Sequence, residues 1–598
     1  MRDRISRPLE PKDVPYGVAK FKELRDAGRY YVDKTAYIRK LEQRADFLFF
    51  VRPRRFGKSL FVDMLRCYYD LNEKQNFERL FGDLDIGKNP TENANKYQVL
   101  ALDFSQVNKG KGLTLEERFD EYMRTWLLDF ANRYSDCYES SARAAFETLG
   151  SGVIFDRIKA IAAEKGYQLY LLIDEYDNFT NQLIRAEGNT RYEGVTHGEG
   201  FYREWFKSFK GTFSRIFMTG VSPVTMDDLT SGFNIATNIS QGENYNAMIG
   251  FTKEETRKIF TDFQGVGEFV NDIDKHIATV EKWYDGYCFA KAKAGEEHIF
   301  NCDMVLYYLN ELVEYGRPPE NLIDGNIKSD WGKLAALLAI QKHAEIYEGV
   351  LPLTDELADH GEVTFPLVEA FQIKDVVKEE NFKSLYYYYG IVTMSRVAFE
   401  GTYFKVPNEC VRRQIFEYMR GQYSRSPEAL DVAEFNRRFN DFALRGVAKP
   451  LFEYLADRFA VNSVVRDGLN GELLINGFMR AYLTMRSGYM ACPELELNGR
   501  FCDYAFFPDQ SLVPELRSQH SYVIELKHSK KTATEAEIAA KHAEALDQLA
   551  GYARHPNLTA LAAGTPVHFL DVEFKGREMI VCEEVVMNGS SVLKVCRS

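Results

Sequence analysis

Residues 46–59 read DFLFFVRPRRFGKS, and this segment decides the architecture of the N-terminal half of the chain. Its first part, DFLFFV, is a short apolar run that ends before Pro53, a pattern typical of a buried strand. Helical periodicity follows from Ser59 to Tyr69. A Gly-Lys-Ser sequence between a buried strand and a helix is typical of a loop whose backbone N–H groups hold phosphate oxygens. The segment therefore predicts a phosphate-binding loop.

Within this loop, Lys58 is expected to reach the β- and γ-phosphates of ATP, and Ser59 to ligate Mg²⁺. Arg52 stands where the G-x-x-x-x-G-K-S pattern has its first glycine, so the octet by itself also fits a surface turn. Arg54 and Arg55 either neutralise transition-state charge or form a solvated basic turn. The predicted nucleotide contacts in and beyond the loop are Arg54, Arg55, Phe56, Gly57, Lys58, Ser59, Leu60, Asp174 and Thr219.

A second apolar strand ends in an acid pair that is expected to complete the ATP site. Asp174 would hold Mg²⁺ directly or through water, and Glu175 would orient or activate the attacking water. Acids at strand ends are also common as caps or ion pairs, but an Asp-Glu pair about 115 residues after Gly-Lys-Ser is seldom accidental. Thr219, at the end of a further strand, is a candidate sensor of the γ-phosphate together with Ser222, although either could be an ordinary turn residue.

The pattern along the chain predicts an α/β fold. Apolar strand candidates alternate with helical stretches, which implies a parallel sheet covered on both faces. These strands are expected at 46–51, 97–104, 168–173 and 214–219. From 252 to 400 the pattern is mostly helical, with aromatic clusters, of which WYDGY is expected to pack as a core. We therefore expect three domains: a P-loop ATPase domain (1–250), a mainly helical lid or linker (251–425) and a second α/β domain (426–598).

The last domain carries a second group of charged residues. Its strands are expected at 500–507, 522–527, 567–574 and 578–584, and its strongest helix at 535–552. Asp503 lies on the first strand, and Glu525 and Lys527 lie two residues apart on the second, so these two side chains share one face. Asp503 and Glu525 would share one Mg²⁺, with Mn²⁺ as a substitute, and Lys527 would position or help to deprotonate the attacking water.

An E-x-K sequence on a strand is usually a surface ion pair, but here it ends an apolar strand, where burying charges is costly without partners or a function. Two helices add candidates: Glu472 as a further metal-binding carboxylate, and Gln548 as a contact to substrate phosphate or an ordering group. Each alone is more often a solvated helix residue. A basic cluster at 528–531 fits a nucleic-acid backbone, although such clusters are usually just solvated.

Composition narrows the classes of function. With 75 Lys and Arg against 88 Asp and Glu, the formal charge is −13, so any nucleic-acid site must be a local basic patch in an acidic chain. Nine scattered cysteines without a Cys-x-x-Cys pair argue against structural zinc and fit reduced thiols in the cytoplasm. The N-terminus is charged and does not resemble a signal peptide. The sequence contains no run of about 18 apolar residues, so no membrane span is predicted.

Taken together, the motifs resemble a bacterial AAA-ATPase-like family fused to a C-terminal PD-(D/E)XK nuclease-superfamily domain. The motifs that carry this resemblance are 14–17, 31–35, 52–59, 172–177, 219–228, 283–287, 406–408, 472–478, 499–503, 525–527 and 545–552. In this family the absence of the first glycine is normal. The resemblance implies an N-terminal P-loop NTPase sheet, a helical middle region and a C-terminal restriction-endonuclease-like domain, with Glu472, Asp503, Glu525 and Lys527 as its intact core positions.

The residues and the resemblance predict an ATP-binding and ATP-hydrolysing, Mg²⁺-dependent nuclease. Its substrate would be nucleic acid, DNA rather than RNA, and such fusions suggest defence against mobile DNA by analogy. The alternative is an ATP-dependent signalling or assembly switch with a non-cleaving C-terminal binding domain, and homo-oligomerisation is left open. A third reading is a house-keeping ATPase whose C-terminal acids are structural.

Overall fold

The computed structural model describes residues 14–107, 113–177, 201–223, 236–270, 273–319, 321–324, 357, 362–371, 375, 378–415, 431–462, 475, 479, 483, 488–497, 500–510, 512, 514–576, 578–588 and 591–596. The chain divides into two compact units. The first comprises Met1–Val350 and Glu362–Cys410, and the second comprises Leu351–Gly361 and Val411–Ser598. Most of the predicted middle domain (251–425) thus belongs to the same unit as the phosphate loop, whereas Leu351–Gly361 and the residues after Cys410 belong to the second unit.

The first unit is built from helices on a parallel sheet and on a small antiparallel sheet. Its helices are α1 (Phe21–Asp26), α2 (Tyr37–Glu42), α3 (Lys58–Tyr69), α4 (Phe77–Phe81), α5 (Asp85–Lys88), α6 (Leu115–Arg133), α7 (Ser140–Phe146), α8 (Ser151–Lys165), α9 (Phe201–Lys210), α10 (Lys253–Phe263), α11 (Ile273–Tyr284), α12 (Cys302–Tyr315) and α13 (Glu379–Tyr388). Its strands are β1 (Phe47–Val51), β2 (Gln98–Asp103), β3 (Leu169–Asp174), β4 (Arg215–Gly220), β5 (Thr237–Asn238), β6 (Glu362–Thr364), β7 (Thr393–Ala398) and β8 (Gly401–Lys405).

The large sheet confirms the predicted parallel α/β architecture. Its strand order is β2-β3-β4-β1-β5, and every pair is parallel. The first four strands lie within one residue of their predicted bounds. All six residues of β3 are buried, as expected of a parallel strand covered on both faces.

Strand order also positions the ATP-site candidates. β4 lies between β1, which leads into the phosphate loop, and β3, which ends in the acid pair. The register pairs Phe50 with Thr219 and Ile173 with Met218. Because the carboxyl ends of parallel strands meet at one edge of a sheet, Thr219 lies between the phosphate loop and Asp174.

The WYDGY motif packs as the predicted aromatic core. Trp283, Tyr284 and Tyr287 are buried, and the first two belong to an apolar cluster formed mainly by α10, α11 and α12. A second motif, at 406–408, lies against it: Asn408 Nδ2 donates a hydrogen bond of 2.8 Å to Asp285 O. β6, β8 and β7 form an antiparallel sheet in that order.

The second unit contains a six-stranded mixed sheet with helices on both faces. Its strands are β9 (Tyr489–Leu497), β10 (Arg500–Pro508), β11 (Ser521–Ser529), β12 (Val567–Lys575), β13 (Glu578–Asn588) and β14 (Ser591–Cys596). Its helices are α14 (Val432–Arg445), α15 (Lys449–Asn462), α16 (Glu535–Tyr552) and α17 (Leu558–Ala562). The order is β14-β13-β12-β11-β10-β9, and the pair β11–β12 is parallel whereas the others are antiparallel.

Side-chain alternation along these strands gives the sheet two cores. Residues such as Tyr522, Ile524 and Val572 pack with α14 and α15 on one face. Val523 and Phe569 pack with α16 and α17 on the other face. The predicted strands of this domain are confirmed, and the helix predicted at 535–552 matches α16. Period-2 geometry therefore places the odd-numbered residues of β11 and β12 under α16.

Among the residues that the structure describes, no helix is both long enough and apolar enough to cross a bilayer. Every cysteine whose side chain is described is a free thiol.

Candidate nucleotide and metal sites

The predicted phosphate loop connects β1 to α3 and turns through two left-handed residues. Gly57 precedes the helix with φ of +92°, and Arg55 adopts φ of +70°. Glycine adopts this conformation at little cost, whereas a residue with a Cβ is strained in it. The strain at Arg55 is held by contacts of its carbonyl oxygen, which accepts a hydrogen bond from Asp303 N at the start of α12. The loop is thus fixed at the N-terminus of α3, where backbone N–H groups lack helical partners.

Arg52, the residue in place of the first glycine, is a structural strut. Its side chain is buried, and its guanidinium packs over the rings of Phe50 and Phe289 at 4.3 and 4.2 Å. The guanidinium donates hydrogen bonds of 2.6–2.9 Å to three backbone oxygens, those of Val51, Ser240 and Tyr245. Burial lowers the pKa of Arg52 to about 10, so it stays charged at neutral pH. The departure from the glycine pattern therefore fixes the loop instead of disrupting it.

Lys58 lies buried inside the loop. Its Nζ donates hydrogen bonds of 2.9 Å to the backbone oxygens of Arg52 and Pro53. Burial lowers the pKa of Lys58, and the carboxylates of Asp174 and Glu175 oppose this shift. The ammonium is therefore held beside the acid pair that ends β3.

Within the acid pair, Asp174 is buried and Glu175 is partly buried. Burial raises the pKa of Asp174, against a hydrogen bond from Ser59 and the charge of Lys58. Burial also raises the pKa of Glu175 to about 7, with the charge of Arg54 opposing. Glu175 has a left-handed backbone, with φ of +50°, a strained conformation that recurs at active sites. The fold thus brings Lys58, Ser59, Asp174 and Glu175 together as the sequence predicted.

A further acid, Asp177, fixes the edge of the sheet beside this group. Its carboxylate accepts hydrogen bonds of 3.2 Å from the backbone N–H groups of Val221 and Ser222, just after β4. A Cβ at Gly220 would lie 2.5 Å from Asp177 Oδ1, so this close approach needs glycine. No role was predicted for Asp177, although it ends the motif at 172–177.

The remaining loop candidates take different places. Thr219 Oγ1 is buried without a hydrogen-bond partner. Phe56 packs edge-on against Tyr287 and Phe289, with ring centroids 5.0 and 5.4 Å apart, so its side chain anchors the loop. Leu60 and the two arginines at 54 and 55 lie at the wall of a cavity.

That cavity has a volume of about 440 Å³, a size common among small-molecule sites. Its polar wall is formed by the loop, the start of α3 and the second acid of the pair, namely Arg54, Arg55, Gly57, Lys58, Ser59 and Glu175. Its apolar wall is formed by Val18, Tyr30, Val32, Ile249, Phe251 and Leu306. The cavity therefore combines a cationic end with an aromatic and aliphatic end.

Two motifs without an assigned role line this cavity. Pro15 and Gly17 come from the motif at 14–17, and Tyr31, Val32 and Lys34 from the motif at 31–35. Lys34 Nζ is held by both oxygens of Glu255 at 2.7 Å, and its charge is thereby neutralised within the protein. These motifs shape the wall of the cavity, and the loop supplies its positive end.

In the second unit, the structure brings Asp503, Glu525 and Lys527 together under α16. Asp503 Oδ2 accepts a hydrogen bond of 2.7 Å from Leu526 N. Lys527 Nζ donates one of 3.0 Å to Glu525 Oε1. Burial and the charge of Asp503 raise the pKa of Glu525, and the carboxylates of Glu525 and Asp503 more than offset the effect of burial on Lys527, whose pKa is raised.

The stripe of α16 that faces this group carries residues four apart. Tyr552 donates a hydrogen bond of 3.1 Å from its hydroxyl to Glu525 Oε2, and Glu544 Oε1 accepts one of 3.4 Å from Lys527. Gln548 lies one turn from each, as i, i+4 spacing requires. Its Oε1 is buried without a hydrogen-bond partner. Helical spacing from Gln548 would have revealed Glu544 and Tyr552, which the sequence reasoning missed.

Glu472 lies outside the described residues, so the structure does not place it. Two acids that the sequence reasoning missed are Asp571 and Glu573 on β12, in register with Glu525 and Lys527. These two acids could have been found from the sequence by the pattern used for β11, in which charged residues alternate with apolar ones along a strand.

The donor atoms fit the ions that the sequence predicts. Asp503 and Glu525 offer carboxylate oxygens on adjacent strands, and Ser59 and Asp174 offer a hydroxyl and a carboxylate beside the phosphate loop. Hard divalent cations such as Mg²⁺ prefer oxygen ligands of this kind. Both groups of residues are therefore chemically suited to hold a divalent cation.

Two segments of the chain match known family models. Residues 15–230 match the family model described as "Predicted AAA-ATPase", and residues 470–584 match the model described as "PD-(D/E)XK nuclease superfamily". The chain therefore has an N-terminal segment similar to predicted AAA-ATPases and a C-terminal segment similar to the nuclease superfamily. Domains of these two kinds generally use ATP and divalent metals.

Individual relatives are more distant. A protein of Azotobacter chroococcum mcd 1, described as an uncharacterized protein in the vnfD 5′ region, is 27% identical over 288 residues, which are 47% of this chain and 49% of the relative. The match thus spans about half the length of each protein. A solved Walker-type ATPase of Pyrococcus abyssi is 12% identical, with a TM-score of 0.36, and covers 64% of this chain and 96% of its own.

Proposed function

We propose that the protein binds and hydrolyses ATP at the phosphate loop and cleaves nucleic-acid phosphodiesters, with a divalent metal, at Asp503, Glu525 and Lys527. The observation that carries the nuclease half is the convergence of these three side chains on adjacent strands, with Tyr552 holding Glu525. The ATP half rests on the cavity that joins Lys58 and Glu175 to an apolar wall.

At the ATP site the triphosphate would lie at the cationic end of the cavity and the base at its aromatic end. Lys58 would neutralise charge on the β- and γ-phosphates, and Ser59 and Asp174 would hold Mg²⁺. Glu175 would accept a proton from the attacking water, since a pKa of about 7 suits a base that works near neutral pH. Thr219, between the two strands, would report on the γ-phosphate.

At the nuclease site a cation held by Asp503 and Glu525 would act as a Lewis acid and supply hydroxide near neutral pH. The raised pKa of Lys527 keeps its side chain protonated. We therefore assign Lys527 to holding the attacking water and stabilising phosphate charge, in preference to removing a proton. Gln548 would contact the substrate phosphate or order the site, because it lies one helical turn from both Glu544 and Tyr552 and its Oε1 is buried without a hydrogen-bond partner.

The direct test is cleavage by the purified full-length chain. Linear, circular and single-stranded DNA, and RNA, would be incubated with Mg²⁺ or Mn²⁺, with and without ATP. We expect cleavage of DNA in preference to RNA, and its loss by at least about 100-fold in Asp503→Ala. Glu578→Gln, an exposed acid on the same sheet, is the matched control that excludes a contaminating nuclease. Absence of cleavage under every nucleotide condition would overturn the nuclease half.

The relation between the two sites is tested with Glu175→Gln. This variant should bind ATP but hydrolyse it at least about 100-fold more slowly. If ATP changes the assembly state, measured by light scattering, and no substrate is cut, the protein is an assembly switch with a binding domain at its C-terminus.

We also propose a role in defence against mobile DNA, which rests on the combination of an ATPase-like domain with a nuclease-superfamily domain. Cells that express the wild-type chain should accept an incoming plasmid less often than cells that express Asp503→Ala. Equal transformation by the two would contradict this role without affecting the enzymatic proposal.

A further inference from the structure

A second cluster of potential metal ligands lies next to the nuclease residues, on the same face of the sheet. Asp571 and Glu573 of β12 are in register with Glu525 and Lys527 of the parallel strand β11. Neighbouring strands are about 4.8 Å apart. The third member, His542, comes from α16, which packs on the same face of the sheet. Ligand atoms of His542, Asp571 and Glu573 all lie within 4.8 Å of one another.

The contacts within this cluster leave one carboxylate unsatisfied. His542 Nδ1 lies 2.7 Å from Asp571 Oδ2 and 2.7 Å from Glu573 Oε1. A neutral or protonated imidazole has at most one hydrogen on Nδ1, and it is donated to Glu573. Both oxygens of Asp571 are buried without a hydrogen-bond partner.

Burial makes this arrangement costly in the absence of a cation. The Asp571 side chain is 0% exposed and that of Glu573 is 3% exposed. Two adjacent buried carboxylates repel each other, and a buried charge needs a partner. A bound cation would supply the missing partner for the oxygens of Asp571.

We propose that His542, Asp571 and Glu573 form a second divalent-metal site, selective for a transition metal such as Mn²⁺ or Zn²⁺. One imidazole nitrogen with two carboxylates is a mixed donor set, which suits these ions better than Mg²⁺ or Ca²⁺, whose ligands in proteins are mainly oxygens. Three protein ligands leave coordination positions for water or substrate. The His542 side chain is 33% exposed, so the cluster can be reached from solvent. This inference concerns binding and goes beyond the proposed cleavage.

The test uses the full-length chain, stripped of metal with a chelator and titrated with Mn²⁺ alone. Electron spin-echo envelope modulation detects ¹⁴N coupling when an imidazole nitrogen ligates Mn²⁺, which the oxygen ligands Asp503 and Glu525 cannot produce. We expect ¹⁴N coupling in the wild type and in Glu525→Gln, and its loss in His542→Ala. The matched histidine control, His555→Ala at the end of the same helical region, should retain it.

Asp571→Asn keeps the shape of the cluster and removes one anionic ligand. It should weaken Mn²⁺ binding at the ¹⁴N-coupled site at least about 10-fold, with an unchanged circular dichroism spectrum. This variant keeps the proposal testable if His542→Ala does not fold. Mn²⁺ bound without ¹⁴N coupling, and lost only in Glu525→Gln, would overturn the second site and leave the nuclease site standing. Coupling that survives in a folded His542→Ala variant would also overturn it.

Discussion

Arg52 occupies the position of the first glycine in the phosphate-loop motif and stabilises the loop in a different physical way. The first glycine of a phosphate loop allows a tight turn, whereas here a buried guanidinium binds three backbone oxygens around the loop. The backbone oxygen of Arg52 also accepts a hydrogen bond from Lys58. The Arg52 side chain therefore stabilises the backbone that holds Lys58, the lysine proposed to bind phosphate.

Restoring the glycine should damage the protein. We expect Arg52→Gly to lower the free energy of unfolding by about 2–4 kcal/mol, because buried carbonyl oxygens lose charged donors and a cavity forms. Urea denaturation measures this change. Arg55→Gly, in the same loop, is the control: its φ of +70° suits glycine, so its stability should stay within about 1 kcal/mol of the wild type. Equal stability of Arg52→Gly and the wild type would contradict a stabilising role for the Arg52 side chain.

In the second unit, Tyr552 has a role comparable to that of Arg52, because it positions a residue of the proposed site. Its hydroxyl orients Glu525, so Tyr552→Phe should raise the Mg²⁺ concentration for half-maximal cleavage about 10-fold, with little change in kcat at saturating metal. Tyr522→Phe is the matched control. It removes a buried hydroxyl that donates a hydrogen bond to Phe442 O, and Tyr522 packs in the core with α14 and α15, on the other face of the sheet. That variant should lose stability but keep the wild-type metal dependence. The same metal dependence in all three proteins would remove Tyr552 from the site.

At the scale of elements, the loop that follows α11 is locked against the motif at 406–408. Gly286 has φ of +95°, and a Cβ there would lie 2.2 Å from Pro407 O. Asn408 closes the contact by donating to Asp285 O. Tyr287 in turn packs against Phe56 of the phosphate loop. The contact between the loop after α11 and the motif at 406–408 therefore helps to hold the phosphate loop in place.

Alanine substitutions at two glycines can distinguish the strain of a left-handed backbone from the steric clash of a Cβ with a neighbouring atom. Gly265→Ala should cost about 1–2 kcal/mol of unfolding free energy, since its φ is +87° and its surroundings are open. Gly286→Ala should cost a further 1–3 kcal/mol, about the usual penalty for overpacking. Chemical denaturation of both variants measures the difference. Equal losses would mean that the chain at Pro407 moves aside freely.

At the scale of the whole molecule, each compact unit carries one of the two proposed sites. A ligand that binds only the folded state stabilises it by about 2.7 kcal/mol at 100 times its Kd. ATP with Mg²⁺ should therefore raise the melting temperature of the wild type and of Glu525→Gln, but not that of Lys58→Ala. Mn²⁺ without nucleotide should stabilise Lys58→Ala as it does the wild type.

Differential scanning fluorimetry at fixed protein and ligand concentrations measures these shifts. Stabilisation of Lys58→Ala by ATP at the wild-type concentration would place the nucleotide elsewhere. Loss of the ATP shift in a folded Glu525→Gln variant would show that the two sites do not bind independently.

Much of this architecture could be predicted because its signals are local. The strand and helix around Gly57, the acid pair after β3 and the E-x-K sequence of β11 are all patterns of neighbouring residues. Periodicity in consecutive residues reflects the repeat of a helix or a strand, and burial of one face follows from it. The bounds of the main strands were therefore predicted to within a few residues.

The sequence by itself determined which segments form the strands, where the phosphate loop lies and which acids end or line the strands, since each follows from short-range periodicity and turn chemistry. Only the tertiary structure decided the partners: Arg52 as a strut, the cavity wall drawn from five separated segments, and the His542, Asp571 and Glu573 cluster. These depend on strand order and register, which join residues far apart in the chain and leave no periodic pattern between them.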